Sequence, residues 1–304
     1  MKRRLDIIIL ALALGAAAVA LLGCGYNTEV KDGGPLTTVE GTNVTPPTTT
    51  PPSSGANATT TTTAEETTEF SVYFTYNTLV HAVHRRVPAT KAVAAAAMEA
   101  LVAGPTPEEK ALGLYGAIPE GTLFLGVTID NGIATVDLSR EYESGGGSLS
   151  MAQRLAVVTY TLTQFPTVDG VLFKLDGKPV EVFGGEGFIL DHPVTRADYE
   201  DYITPAILVE SPTIGDVVTS PLRIHGTSNV FEATSQVRLV DQNGKTIVEQ
   251  HVTASSGTGT RGTWDVTIPF EADPGSTITL VTFEYSAKDG SMVNVTEIPL
   301  QVAP

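Results

Sequence analysis

Alternating apolar and polar positions predict a small sheet in the middle of the chain. Apolar residues recur at every second position in the clearest run, at Leu123, Leu125, Val127 and Ile129. This spacing is typical of one face of a strand. Asn131-Gly132 follows, and such a dipeptide between two alternating runs predicts a hairpin with a returning strand over residues 133–138. A strand over residues 70–74 and a second hairpin over residues 171–183 complete the prediction.

Two other segments carry apolar residues at helical spacing. Residues 90–103 are rich in alanine, and Gly104-Pro105 provides a C-terminal stop for this helix. The second segment begins after the glycine run Gly145–Gly147, and its apolar residues are Met151, Leu155, Val158 and Leu162. The order strand, helix, hairpin, helix, hairpin predicts an α+β domain over residues 70–201, a sheet with two helices on one face.

Residues 205–304 show no helical pattern. Seven runs rich in β-branched and aromatic residues recur, and Asn243-Gly244 and Asp289-Gly290 stand at hairpin positions. The pattern predicts an all-β immunoglobulin-like sandwich. Trp264 is the expected core residue. Cys24 is the only cysteine of the chain, so this sandwich must be held together by packing without a disulfide.

The N-terminal segment indicates export and lipid attachment. A basic start precedes an apolar run and the sequence Leu21-Leu22-Gly23-Cys24, which predicts a lipoprotein signal peptide over residues 1–23. It resembles a bacterial lipobox, in which Cys24 would carry the lipid, including palmitate. The alternative is an uncleaved membrane anchor with a chance cysteine. Residues 24–69 are rich in Thr and Pro and predict a disordered tether. Residues 195–204, which include Asp198, Glu200 and Asp201, predict a solvated acidic connector.

The charge balance narrows the possible partners. The 304 residues carry 18 Lys and Arg against 34 Asp and Glu, for a formal net charge of -16. Nucleic acids and anionic lipid surfaces are bound by clustered basic residues, so this balance argues against a nucleic-acid partner. The expected contact with the cell membrane is therefore the lipid on Cys24.

The glycine run before the second helix invites comparison with phosphate-binding loops. No lysine follows it, as a P-loop requires, and Ser150 occupies the position where dinucleotide and nucleophile-elbow motifs need glycine. Ser150 and Gln153 instead form the spacing of a capping box. We therefore predict a structural turn and cap, and no cofactor.

Other candidate chemical groups are weaker. His81-x-x-His84 is placed in a loop beside Arg85 and Arg86, which disfavours a metal site. The segment 241–244 is predicted to be a hairpin turn and not a calcium loop. A glycosidase would need two facing carboxylates, for which Asp137, Glu141 and Glu143 are candidates by charge alone. The sequence predicts no catalytic residue and no metal ligand.

Specific stretches of sequence resemble known families. ATKAVAAAAMEALVAGPTPEE, IPEGTLFLGVTIDNGIATVDLS and the second helix with the hairpin after it resemble a GerMN (sporulation and spore germination) domain. VESPTIGDVVTSPLRIHGTSNVFEAT and FEYSAKDGSMVNVTEIPL resemble the immunoglobulin-like domain of bacterial spore germination. The resemblance implies non-catalytic envelope modules. GerMN domains are also similar to modules that self-assemble into rings.

One end of the second domain allows two interpretations. Phe231-Glu232-Ala233 and residues 255–262, with Arg261, could form a partner-binding end, because loops cluster there. The alternative, which we favour from the sequence, is a buried Phe231 beside an exposed Glu232 and a flexible hairpin loop.

The combined prediction is a lipid-anchored protein on the extracytoplasmic side of the cell membrane. It would bind or scaffold rather than catalyse, with an envelope protein or its own copies as partner. A cell-wall or glycan hydrolase and a carbohydrate-binding module are the alternatives. A solute-binding lipoprotein is disfavoured, because that class needs two α/β lobes around a hinge.

Overall fold

Two modules follow one another along the residues that the computed structural model describes, which are 66–185 and 187–304. Both modules belong to the same compact unit of the chain. The predicted signal peptide, Cys24 and all but the last residues of the predicted tether lie outside the described residues. Where the tether was expected to end, a strand already begins at Thr67.

The first module combines short sheets with helices. Its strands are β1 Thr67–Tyr76, β2 Leu79–Pro88, β3 Phe124–Asp130, β4 Ile133–Leu138, β5 Gly170–Leu175, β6 Lys178–Pro179, β7 Val182–Phe183 and β8 Phe188–Ile189. Its helices are α1 Val93–Ala103, α2 Pro107–Ala111 and α3 Ser148–Leu162, with 3₁₀ turns at Arg140–Glu143 and Arg196–Tyr199. Strands β1 and β2 form a hairpin, and β3-β4-β5-β6 form a four-stranded sheet in which α3 crosses between the parallel strands β4 and β5.

The local signals explain most of these elements. Asn131 and Gly132 have φ of 48° and 82°, as the two central residues of a tight hairpin turn require, and they join β3 to β4. Gly104 ends α1 as predicted. The sequence missed β2, because the turn before it, Asn77-Thr78, adopts positive φ at both positions without a glycine.

Helix α3 supports the core of this module. Its residues from Met151 to Leu162 are all buried, and it contacts both β1 and β5. Its C-terminal turn also covers the free edge of β1. The Tyr73 amide donates to Thr161 Oγ1 at 3.1 Å, and the Ser71 amide donates to the side chain of Gln164 at 2.7 Å. An edge that would otherwise be open for pairing is thereby satisfied.

The second module is the predicted sandwich. Its strands are β9 Ile207–Ser211, β10 Val217–Val218, β11 Leu222–Ser228, β12 Thr234–Asp241, β13 Thr246–Thr253, β14 Gly262–Ile268, β15 Thr277–Tyr285 and β16 Met292–Val302. They form a three-stranded sheet, β14-β11-β9, and a five-stranded sheet, β10-β16-β15-β12-β13. Trp264 is buried in the core, as the sequence predicts. The predicted fold class, an α+β domain followed by an all-β immunoglobulin-like sandwich, is confirmed.

Across residues 66–185 and 187–304, no helix has the length and apolar character needed to span a membrane.

Candidate functional site

The junction between the two modules concentrates charge that is shielded from solvent. The connecting segment packs against the first module, where the Val80 amide donates to the Ile203 carbonyl at 2.9 Å and the Tyr160 hydroxyl lies 2.6 Å from Thr204 Oγ1. Asp201 is exposed. The prediction of a solvated acidic connector is nevertheless wrong for Glu200, which is bonded to the second module.

Arg196 is the centre of this junction. Its Nη1 donates to Glu210 Oε1 on β9 at 2.6 Å, and its Nη2 donates to the Tyr73 hydroxyl at 3.2 Å. The Tyr73 hydroxyl also donates to Glu210 Oε1 at 3.0 Å. The guanidinium carbon lies 4.6 Å from the ring centroid of Tyr160, within range of a cation–π interaction. One side chain thus joins β1, α3 and β9.

The electrostatics of this group follow from its burial. Burial opposes ionisation of Glu210, but the attraction of Arg196 and the hydrogen bonds from Arg196 and Tyr73 outweigh it and lower the pKa of Glu210. Burial likewise opposes the charge of Arg196, whose pKa is nevertheless raised by Tyr73 and Glu210. Burial is the main cause that raises the pKa of Tyr73. Both ions therefore stay charged and paired at neutral pH.

A second ion pair fastens the connector to the sandwich. Arg261 Nε donates to both carboxylate oxygens of Glu200, at 2.9 and 2.7 Å, and its Nη2 donates to the Pro205 carbonyl at 2.7 Å. Asn229 Nδ2 donates to Glu200 Oε1 at 3.1 Å. The loop over residues 255–262, predicted as a flexible hairpin loop, is therefore anchored at Arg261.

His84 forms a third link. His84 Nδ1 lies 2.9 Å from Asp216 Oδ2, and the His84 amide donates to Thr213 Oγ1 at 3.2 Å. The hydrogen bond to Asp216 is the main cause that raises the pKa of His84. Burial opposes ionisation of Asp216, but the bond from His84 and the amide of Thr213 outweigh it and lower the pKa of Asp216. This pair is strongest where both groups are charged.

The two histidines do not form a metal site. His81 and His84 lie on β2 and not in the predicted loop. Residues three apart on a strand point to opposite faces, so His81 is buried in the first module while His84 faces Asp216. Burial lowers the pKa of His81 to about 4. Among the residues that the structure describes, no three His, Cys, Asp or Glu side chains are arranged to hold a metal ion.

The glycine run is a structural turn, but the predicted cap is wrong. Gly147 is the N-cap residue of α3, and Ser150 is already inside the helix. Gln153 donates to the Thr78 carbonyl and the Tyr115 hydroxyl, both at 2.9 Å, so it forms no capping box. Arg154 occupies the space below the turn and donates to the Gly145 carbonyl at 2.8 Å. The glycines let the backbone pass close over this arginine.

The three carboxylates that the sequence offered as glycosidase candidates accept local hydrogen bonds. Asp137 accepts from the Gly177 amide at 3.0 Å and Glu143 from the Gly184 amide at 2.8 Å, while a bond from Ser139 is the main cause that lowers the pKa of exposed Glu141. Asp241 accepts from the amides at positions 243 and 245, as the predicted hairpin turn requires.

Phe231 differs from the favoured expectation. It lies in a 3₁₀ turn, Phe231–Ala233, and the residue is 60% exposed, so the prediction of a buried Phe231 is wrong. The neighbouring Glu232 is exposed, as expected.

Sequence reasoning missed the junction residues Arg196, Glu210 and Asp216. One signal was present: Glu210 directly follows the apolar run Ile207–Val209, and a charge at the end of a buried strand needs a partner. The partner itself could not be found from spacing, because Arg196 belongs to the other module.

Comparisons with known proteins agree with the two-module architecture. A family described as sporulation and spore germination matches residues 71–181, and the immunoglobulin-like domain of bacterial spore germination matches residues 206–291. No curated protein matches the chain significantly.

Solved structures give weaker likenesses. The tandem GerMN domains of the sporulation protein GerM from Bacillus subtilis are 19% identical, with a TM-score of 0.40, over 67% of this chain and 62% of that one. The chain therefore spans about three fifths of that structure. The first GerMN domain of the same protein is 24% identical, with a TM-score of 0.36, over 43% of this chain and 99% of that one. The chain thus contains, in this order, a segment that matches the sporulation and spore germination family and a segment that matches the immunoglobulin-like domain of bacterial spore germination.

Proposed function

We propose that this chain is a non-catalytic scaffold of the bacterial cell envelope that presents two rigidly joined modules to a partner. The observation that carries the proposal is the junction, where three ion pairs link the modules: Arg196–Glu210, Arg261–Glu200 and His84–Asp216. Arg196 gives its hydrogen bonds to protein acceptors on three elements. Such a group holds modules in place rather than acting on a substrate.

The proposed attachment is a lipid on Cys24. The basic start, the apolar run and Leu21-Leu22-Gly23-Cys24 support export and acylation. Two or more acyl chains give stable anchoring. The Thr- and Pro-rich residues that follow would give the modules reach from the membrane, on its extracytoplasmic side.

The proposed partner is an envelope protein or further copies of the chain. The two matched families connect the modules with sporulation and germination, and rigid presentation of two surfaces is suited to assembly. A partner that meets both modules at once would depend on the fixed junction.

In-cell crosslinking tests this proposal. Wild type should fractionate with membranes and crosslink to one discrete protein or to itself, whereas Cys24→Ala should leave the membrane fraction and lose most of that product. A Cys24→Ala protein that stays fully membrane-bound would refute the lipid anchor. Crosslinks to glycan fragments alone would refute the scaffold and favour a wall-binding module or hydrolase.

A further inference from the structure

A strained turn holds an aromatic residue out of the second module. Glu232 and Ala233 have φ of 53° and 56°, and Thr258 and Asn294 beside them also have φ of 53°. Residues other than glycine pay for this left-handed conformation, so it persists only where surrounding contacts impose it. Three residue types that rarely adopt this conformation, at Glu232, Ala233 and Thr258, therefore meet at one end of the sandwich.

The surrounding contacts are extensive. The Phe231 amide donates to Glu284 Oε2 at 3.3 Å, and the Glu232 amide donates to Thr258 Oγ1 at 3.1 Å. The Thr258 amide donates in turn to the Val230 carbonyl at 3.0 Å. A Cβ at Gly257 would lie 2.6 Å from the Ala233 backbone, so the two loops are in direct contact. The backbone at Phe231 is therefore held in place by contacts within the module.

Exposed apolar and acidic residues occur together near Phe231. Val293 stands opposite Glu284 in the β15–β16 pair and is itself exposed. Glu284 also accepts from Asn294 Nδ2. Within the described part of the chain, neither Glu232 nor Glu284 forms an ion pair with Lys, Arg or His. We name Phe231, Glu232, Glu284 and Val293 the Phe231 surface.

We propose that the Phe231 surface docks a protein partner through an apolar pocket bordered by arginine or lysine side chains. Exposed, rigidly held aromatic residues are typical anchors of protein interfaces. Charge complementarity favours a basic border on the partner. Two carboxylates that form no ion pair among the described residues adjoin Phe231: Glu232 is next to it in the chain, and Glu284 accepts a hydrogen bond from its amide. A guanidinium can also stack on the aromatic ring. A symmetric contact with a second copy would place these carboxylates against the same carboxylates of the other copy, which is repulsive. An anionic lipid surface would repel them in the same way.

This inference deepens the proposed function by describing its partner, and peptide selection tests it apart from anchoring. Random peptides displayed on phage are panned on the full Cys24→Ala chain, with Phe231→Ser as the counter-selection target. Enriched peptides should combine aromatic or aliphatic residues with Arg or Lys. They should bind Phe231→Ser about tenfold more weakly or worse. Val217→Ser, which removes an equally exposed side chain on β10, should bind them unchanged.

Reversing the charge at position 232 tests whether the acidic residues select basic partners. Glu232→Lys should shift selection away from basic peptides while its thermal unfolding midpoint stays near that of wild type. Phe231→Ser should also keep the thermal unfolding midpoint of wild type, because the exposed Phe231 ring contributes little to the core. Peptides without net positive charge, or none that discriminate Phe231→Ser, would overturn the proposal.

Two further measurements test whether a second copy of the chain or a lipid binds the Phe231 surface instead. Phe231-dependent dimerisation in analytical ultracentrifugation would overturn the proposal in favour of a second copy. Phe231-dependent binding to vesicles of phosphatidylcholine and phosphatidylglycerol would overturn it in favour of lipid. Membrane release of Cys24→Ala and its in-cell crosslinks are read separately, so either proposal can fail alone.

Discussion

Replacing Arg196 with methionine should uncouple the two modules. Methionine keeps most of the apolar volume beside Tyr73 and Tyr160 but removes the charge. Glu210 would then be left without its cation, at an exposure of only 23%. Removing one member of such a pair strands the other in a poorly solvated site, and that penalty dominates the effect.

The magnitude follows from how far the pair is buried. Breaking a fully buried ion pair costs about 3–5 kcal/mol. Arg196 and Glu210 are 25% and 23% exposed, so water screens part of this, and we expect a loss of about 2 kcal/mol. Glu210→Gln should cost a similar amount. The double variant should cost little more than either single change, since the stranded charge is then absent.

Two optical probes separate the modules. Trp264 is the only tryptophan, so its fluorescence reports the second module, whereas far-UV circular dichroism is dominated by the helices of the first module. In urea, wild type should give coincident transitions, because the junction couples the modules. In Arg196→Met the two curves should separate, and the earlier midpoint should fall by about 0.7–2 M urea, since urea m-values are about 1–3 kcal/mol/M.

Arg223→Met is the matched control. Arg223 pairs with Asp265 across β11 and β14, but both side chains are largely exposed, at 67% and 48%. Its loss should leave both transitions where they are in wild type, because exposed pairs are screened by water. Coincident transitions and an unshifted midpoint in Arg196→Met would refute the argument that the junction couples the modules.

Two further predictions concern pH and the glycine turn. The raised pKa of His84 gives stability that is complete below its unfolded value of 6.5 and is lost as pH rises through the folded value. The gap in urea midpoint between wild type and His84→Gln should therefore be largest just below the unfolded pKa of 6.5 and should shrink as pH rises through the folded pKa. A constant gap would contradict the pairing with Asp216, whose lowered pKa keeps it charged in this range. Gly146→Ala should cost about 2 kcal/mol, since φ is 87° and the new Cβ would lie 2.7 Å from another side chain's oxygen. Gly147→Ala, with φ of −109° and open space around it, should cost far less, and equal costs in thermal unfolding would contradict this geometry.

Local patterns predicted the elements whose causes are local. The Asn131-Gly132 turn, the glycine stop of α1 and most strands of the sandwich follow from residue types within a few positions. The hairpin β1–β2 was lost because Asn77-Thr78 makes a glycine-type turn without glycine. The cap of α3 was misplaced because Ser150 has the right spacing, yet the N-cap is Gly147, three residues earlier, in the glycine turn to which Arg154 donates a hydrogen bond.

Spacing could not reveal the junction, because its partners are far apart in the chain. Tyr73 and Arg196 are 123 residues apart, yet both bond to Glu210. From the sequence alone, charged residues such as these are expected to be exposed to solvent. A partly buried charge, however, is stable only when it has a partner. The acidic connector shows both outcomes within two residues, since Asp201 is exposed and Glu200 binds Arg261.

The junction also determines what a partner can meet. Arg261 belongs to the loop over residues 255–262, and the same loop supplies Thr258, which holds the turn beside Phe231. The bond between Glu200 and Arg261 thus connects the linker of the modules to the base of the Phe231 surface. Breaking the Glu200–Arg261 ion pair should therefore weaken the coupling between the two modules and also make the turn at Phe231–Ala233 less well ordered. A rigid junction and a preorganised docking surface are therefore two consequences of one set of contacts.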